Sequence, residues 1–277
     1  MQISFEVFPP RKVEDAPKLH EAILRLSELS PEFISVTFGA GGSSTRDSLS
    51  VLKFIRDNSG ASPLAHLTCV GTTEQDAKSL VGEFLAEGIH DFLALRGDLP
   101  EGQTSMPPGT LSRADQLVSL IEEMRTGQLG KTAVAAFPNG HPESGEGRTD
   151  IDALLAKQEA GADFAITQLF FFAKDYLRFV DLARTKGVEI DLIPGIMPIV
   201  SPTRLARVLE LTGESEPKAL AEDLRSAPDA EARREAGIDW AANQVRDLRD
   251  AGVEAVHLYA FNEYANVTEV LRRAGVA

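Results

Sequence analysis

Asp91-Phe-Leu-Ala-Leu-Arg-Gly-Asp-Leu-Pro100 is an apolar run that stops abruptly on two charges and a proline. The segment 91–95 has the length and apolarity of a buried strand, and Arg96, Gly97, Asp98 and Pro100 end it in a turn. Charges inside the strand would be costly to bury, so this pair projects into a mouth where something polar binds. Taken alone, the motif equally describes a surface ion pair beside a turn, which contributes little. Repetition separates the two readings, because short apolar runs ending in polar residues recur along the whole chain.

The first such run is 3–8, closed by Pro9-Pro10 and followed by a helix pattern over 15–29. The second, 33–37, enters the glycine-rich loop Gly39-Ala-Gly-Gly-Ser-Ser44, and Ser44 or Thr45 caps a helix to Asn58. Further pairs are 64–69 with 73–87, 91–95 with 112–125 beyond a loop containing Met106-Pro-Pro-Gly109, 132–137 with 150–160 beyond a polar loop 138–148, and 164–169 with 173–186. The run 189–193 ends at Pro194-Gly-Ile-Met-Pro198, and about sixty mostly helical residues follow, including 202–211 and 230–251, before the last strand 255–259 and a helix over 263–274. Strands recurring about every thirty residues with intervening helices pair in parallel through right-handed crossovers. Eight such units in 277 residues are the size of a closed (β/α)8 TIM barrel. The expectation is therefore a single α/β domain over 1–277 with a helical elaboration between strands seven and eight. An open doubly wound sheet is the alternative, but Phe8-Pro-Pro-Arg11 stands where its Gly-x-Gly-x-x-Gly would follow the first strand. The mixed-charge stretch 214–234 reads as a solvated helical excursion.

A formal net charge of -14 repels nucleic acid and anionic membrane surfaces at long range and leaves small molecules as partners. With neither a basic, apolar leader at the N-terminus nor an apolar run long enough to span a bilayer, the expected location is cytoplasmic. The single Cys69 reads as a small buried hydrophobe rather than a nucleophile.

A barrel places its site where the strands end. Glu6, Thr37, His66 with Thr68, Arg96 with Asp98, Phe137 with His141, Gln168, Pro194-Gly195 and Tyr259 should therefore converge. Glu6, between Phe5 and Val7, is desolvated whichever face it takes, which raises its pKa and suits a general acid. The competing reading is a buried structural carboxylate paired with Arg11 or Lys12. Asp98, on a loop, stays ionised, so two carboxylates divide acid and electrostatic roles. His66, His141 and His257 lack metal-ligand spacing, no nucleophile elbow is present, and Lys157 and Lys174 fall on helices. Such a mouth suits an organic cofactor that carries the hard step itself. The backbone amides of 39–44 could cradle a phosphate, and Phe170-Phe-Phe172 reads as core before cofactor contact.

Six motifs in register, Ser4-Phe-Glu-Val-Phe-Pro-Pro-Arg11, His66-Leu-Thr-Cys69, Leu95-Arg-Gly-Asp-Leu-Pro100, Ala136-Phe-Pro-x-x-His-Pro142, Ala165-Ile-Thr-Gln-Leu-Phe-Phe171 and Pro194-Gly-Ile-Met-Pro198, together resemble methylenetetrahydrofolate reductase over nearly the entire chain. The resemblance implies a (β/α)8 barrel carrying FAD. It also implies a ping-pong hydride transfer in which NADH or NADPH reduces the flavin and 5,10-methylenetetrahydrofolate then receives the hydride to become 5-methyltetrahydrofolate, and it suggests a homo-oligomer. By the same resemblance, Glu6 is the general acid that assists ring opening to an iminium. Asp98 lies at the flavin pyrimidine edge and also holds the pterin; Gln168 contacts the pterin, and Tyr259 matches a substrate-binding position. Thr37, His66, Arg96, Asp98, Phe137, His141 and Lys157 fall on FAD positions. The chain departs from the family pattern in several places. Phe137 replaces a tyrosine, and Ala153 and Ala156 stand where polar FAD contacts are common. Pro202 stands about where a phenylalanine packs on substrate or nicotinamide, and Glu263 about where an arginine meets the folate's glutamate tail. The alternative to a reductase is a relative that binds folate or flavin without reducing it, as a partner subunit or a flavin-free folate enzyme.

Overall fold

The computed structural model of the chain describes residues 1–10, 12–38, 45–97, 108–141 and 150–276. Its strands are β1 (Gln2–Val7), β2 (Phe33–Val36), β3 (Ser62–Thr68), β4 (Asp91–Leu95), β5 (Thr132–Ala136), β6 (Phe164–Thr167), β7 (Asp191–Ile193), β8 (Gly195–Ile196) and β9 (Ala255–Tyr259). Its helices are α1 (Ala16–Ser27), α2 (Thr45–Asn58), α3 (Glu74–Ala86), α4 (Ala114–Met124), α5 (Asp150–Glu159), α6 (Ala173–Thr185), α7 (Pro202–Thr212), α8 (Lys218–Ser226), α9 (Ala230–Asp250) and α10 (Tyr264–Ala274). All ladders are parallel, in the order β7-β6-β5-β4-β3-β2-β1-β9-β8.

The two ends of that order, β7 and β8, are halves of one strand broken at Pro194. The first half pairs with β6 and the second with β9, so the sheet closes into the expected eight-stranded barrel. Proline has no N–H to give to a ladder, yet the Pro194 carbonyl still accepts from the His257 N–H at 2.9 Å. Sequence pattern alone ends the seventh strand at Ile193; the structure resumes it after the proline with a new partner. Gly195 permits the exchange, because a Cβ there would lie 2.3 Å from the Thr167 carbonyl oxygen and 2.7 Å from the Tyr259 ring.

Alternation along the strands sorts the two layers of core. On β1, Ile3, Phe5 and Val7 point outward to the helices, which leaves Ser4 and Glu6 on the lumen face. The lumen is filled by Phe33, Leu64, Leu93, Ala133, Phe164 and Ile166, one from each of β2 to β5 and two from β6. It is a packed plug rather than a pore. Outside, amphipathic helices cover the sheet; α1 buries Leu19, Ala22, Ile23 and Leu26, a single helical face. Caps fix where the helices begin. The Thr73 hydroxyl accepts the Asp76 N–H at 3.1 Å ahead of α3, and the Ser201 hydroxyl accepts the Arg204 N–H at 3.1 Å ahead of α7, with Pro202 in the first turn.

The excursion over 214–234 is not simply solvated. Leu220, Ala221 and Leu224 of α8 share one face and pack with Leu169, Phe171, Ile199, Leu205 and Val208 in a second cluster over the barrel's carboxyl end. Charges on the other face masked that stripe in the sequence. Phe170 and Phe171 are core at 2% and 3% exposure while Phe172 is 40% exposed, so the aromatic triplet divides. Cys69 is fully buried, as its apolar context suggested.

Candidate active site

Glu6 occupies the lumen face of β1, in register with Ser35 on one side and Tyr259 on the other. Its side chain is 19% exposed, and burial pushes its pKa up to about 8. The nearest titratable group is His66, whose Nε2 lies 3.6 Å from a Glu6 carboxyl oxygen. Burial drives that imidazole down to about 3. At neutral pH the contact therefore joins a protonated acid to a neutral ring and is not an ion pair. Lys12, one of the partners a structural Glu6 would need, pairs with Glu14 at 3.4 Å; Arg11, the other, lies outside the described residues.

Three polar atoms close to Glu6 in strand register, Ser35 Oγ, Thr37 Oγ1 and His66 Nε2, are buried with no hydrogen-bond partner among the described residues. Each costs about 1–3 kcal/mol while unpaired, a cost that a polar ligand in the mouth would offset. The layer beneath is satisfied internally. His257, 1% exposed, meets the Ser4 hydroxyl through Nδ1 at 2.9 Å and stacks on Phe33 with centroids 5.6 Å apart. Burial, with His66 nearby, holds His257 down to about 3. The Tyr259 hydroxyl donates to the Thr167 carbonyl at 2.8 Å, and burial followed by the Glu6 charge pushes its pKa upward.

Beside this group, at the ends of β3 to β6, opens a cavity of about 800 Å³, within the range of cofactor sites. Arg96, Phe137, His141, Lys157 and Gln168 line it. Lys157 reaches the barrel end from α5 and donates to the Ala135 carbonyl at 2.7 Å. The His141 backbone N–H donates to the Asp150 carboxylate at 3.1 Å, and the His141 ring stands edge-on to Phe137, centroids 4.6 Å apart. The Gln168 amide oxygen accepts the Leu169 N–H at 2.9 Å. Of the alanines singled out in the sequence, Ala153 lines this wall. Asp98 and the loop 39–44 lie outside the described residues.

The expected residues thus fall into two adjoining groups: Glu6, Thr37, His66 and Tyr259 at the lumen end, and Arg96, Phe137, His141, Lys157 and Gln168 in the cavity. Sequence reading missed Arg113, Asp115 and Glu214, which also line the cavity. Arg113 and Asp115 form a bidentate pair at 3.0 and 2.9 Å at the start of α4. A charged pair at a helix start is too common to single out without the barrel around it. Arg96, Arg113 and Lys157 place three cations on a cavity that Asp115, Asp150 and Glu214 also line, beside the aromatic face of Phe137; cations for a diphosphate together with polar and aromatic groups for a ring system fit a dinucleotide. No group of three His, Cys, Asp or Glu that could hold a metal occurs among the described residues, and no helix among them is long and apolar enough to cross a membrane.

The family model for methylenetetrahydrofolate reductase matches residues 1–275. The 5,10-methylenetetrahydrofolate reductase of Escherichia coli (strain K12) is 36% identical over 263 residues, covering 95% of this chain and 86% of its own length. A probable methylenetetrahydrofolate reductase (NADPH) of Caenorhabditis elegans is 33% identical over 99% of this chain, which spans 42% of that longer protein. Among solved structures, an uncharacterized protein from Clostridium thermocellum that binds two copies of 5-methyl-5,6,7,8-tetrahydrofolic acid matches 99% of this chain and 93% of its own, with a TM-score of 0.62. At 14% identity that likeness is one of fold.

Proposed function

The chain belongs to the methylenetetrahydrofolate reductase family, and on that premise we propose that its one barrel, 1–277, reduces 5,10-methylenetetrahydrofolate to 5-methyltetrahydrofolate, with FAD as bound cofactor and NADH or NADPH as hydride donor. When bound, FAD would supply a two-electron carrier between the nicotinamide and the folate's methylene carbon.

The chain's own residues do the rest. Arg96, Arg113 and Lys157 neutralise the diphosphate. Phe137 offers an aromatic face, His141 is fixed beside it, and Thr37 and His66 present their unpaired polar atoms to the ring system. Gln168 reads the pterin, Tyr259 shapes the floor of the substrate site, and Asp98 serves both flavin edge and pterin. Glu6 keeps a proton at its carboxyl and delivers it to the ring nitrogen as the five-membered ring opens. The family's reaction on small soluble substrates is the ground for reading the enzyme as cytoplasmic, and the family resemblance the ground for a homo-oligomer.

The observation that carries this reading is Glu6, a desolvated acid with its proton retained to about pH 8, beside a neutral histidine at 3.6 Å. Only the folate half of the reaction consumes that proton. Glu6→Gln should therefore leave flavin reduction by the nicotinamide within about two-fold while folate reduction falls by about 100-fold or more, measured as separate anaerobic half-reactions. Equal loss in both halves would make Glu6 a structural residue. One observation favours a second reading, a folate-binding relative that works without flavin: Ala153 puts a methyl group on the cavity wall. Binding of added FAD, followed by quenching of its fluorescence, decides between them.

A further inference from the structure

The Glu6 carboxyl reaches His66 Nε2 at 3.6 Å, although His66 stands on β3 and β2 lies between that strand and β1. Adjacent strands are about 4.8 Å apart, so the two side chains meet over β2. Register fixes what lies beneath their meeting point. Ser35 is the β2 partner of Glu6, and it faces the lumen, because Ile34 and Val36 on either side of it belong to the outer core while Phe33 fills the lumen. It is fully buried, and its Oγ has no hydrogen-bond partner among the described residues. Thr37, two residues nearer the mouth, is part-exposed, so Ser35 lies about 6.6 Å deeper along the strand than the hydroxyl that meets the ligand. On the other side of Glu6, the Tyr259 hydroxyl is committed to the Thr167 carbonyl at 2.8 Å. Ser35 is therefore the free hydroxyl beside the acid.

A buried hydroxyl without a partner destabilises the fold, and its retention is explained if the partner is an anion that exists for only part of the cycle. When the acid gives its proton to the folate ring nitrogen, a carboxylate is left in the lumen. Among the described residues no cation lies within ion-pair range of it, since His66 is neutral. The other imidazole on this face, His257 of β9, is neutral too and engaged with the Ser4 hydroxyl at 2.9 Å. Neutral donors must meet the charge. We propose that Ser35 is the positioning residue of the acid: its hydroxyl turns to donate to the Glu6 carboxylate once the proton has left, and turns away when the proton returns. The assignment rests on the reading of Glu6 as the acid, and no covalent bond is made or broken at Ser35. A serine suits the task because its O–H rotates to fit its partner, and a hydrogen bond to an ionised acceptor is about twice as strong as one to a neutral group. The hydroxyl thus favours the state in which the proton is leaving over the resting acid.

The test follows both half-reactions of the intact protein across pH in Ser35→Ala. Without the donor the carboxylate is less favoured, so the acid holds its proton to higher pH. The break in folate reduction near pH 8 should move up by about one unit, with the rate below the break about ten-fold lower at saturating folate. Flavin reduction by the nicotinamide and the apparent affinity for folate should stay within about two-fold. Ser35→Thr, which keeps the hydroxyl, should return the break to its place. Thermal melts read the same contact without activity: Ser35→Ala removes an orphaned hydroxyl from beside the neutral acid and a donor from beside the anion, so it should not lower the melting temperature at pH 6 and should lower it at pH 9. A break that stays in place overturns the assignment while the acid reading stands. Wild-type folate reduction with no break, together with equal loss of both half-reactions in Glu6→Gln, overturns the acid reading and this assignment with it.

Discussion

At Glu6, a proton retained to about pH 8 makes the protein respond to pH in two separable ways. In activity, folate reduction should be level below about pH 8 and fall about ten-fold per unit above it, while flavin reduction by the nicotinamide crosses that range without the break; stopped-flow traces across pH check both. In stability, below pH 4.5 the carboxyl is protonated folded or unfolded and contributes nothing. Between 4.5 and about 8 the unfolded chain releases the proton while the folded chain keeps it, so stability falls as pH rises, and above about 8 the loss is complete. That loss is on the order of a few kcal/mol. Glu6→Gln should therefore raise the melting temperature by about 5 °C or more at pH 9 and little at pH 4. Equal shifts at both would mean that the buried acid is not the cause. The histidines act on the other side: His66 and His257, ordinarily near 6.5 and held to about 3, stay neutral when folded, and stability is lost as pH falls from 6.5 towards 3. Sequence reveals that Glu6 is desolvated, because Phe5 and Val7 flank it, but not which layer it faces or that a neutral His66 waits opposite. Those depend on the register of β1 against β2 and β9.

Among the elements, the broken seventh strand does most to shape the site. Partner exchange at Pro194 joins β9 to the seventh strand, and Tyr259 reaches past it to the end of β6, where its hydroxyl donates to the Thr167 carbonyl at 2.8 Å. Gly195→Ala would drive a methyl group to 2.3 Å from that same carbonyl, and neither backbone nor a buried ring can yield. The substitution should cost about 3 kcal/mol, read from denaturant midpoints, and should lower folate reduction more than flavin binding, because the seam lies on the substrate side. A full-stability variant would mean that the seam is looser than its geometry. Gly237 does the same for α9, where a Cβ would meet the Ile199 carbonyl at 2.1 Å; this is why a glycine interrupts an otherwise good helix. The motif Pro194-Gly195 is visible in the sequence as a turn. That it is instead a strand changing partners is a long-range fact, invisible to local periodicity. The same limit hid the buried face of α8 behind its charges.

Over the whole molecule, the strand ends converge to set a buried acid beside a polar cavity lined by charges of both signs. Periodicity and spacing expose that architecture well before any side chain is placed, because each unit repeats the same alternation of buried strand and amphipathic helix. The site is legible only in part. Residues at strand ends, such as Arg96 and Gln168, can be found from where the apolar runs stop. Those that reach the mouth from a helix or its cap, such as Lys157 and Arg113, carry no local mark of it. If the cavity holds the dinucleotide through its cations, FAD affinity should weaken as salt rises, and Lys157→Met should weaken it by about ten-fold at fixed salt; unchanged affinity would put the diphosphate elsewhere. The most direct measurement is an anaerobic absorption titration of the purified protein with FAD added. The account predicts flavin bands that bleach with NADH or NADPH and return in full with methylenetetrahydrofolate. A protein that binds no flavin, or whose reduced flavin is not reoxidised by the folate, would contradict it.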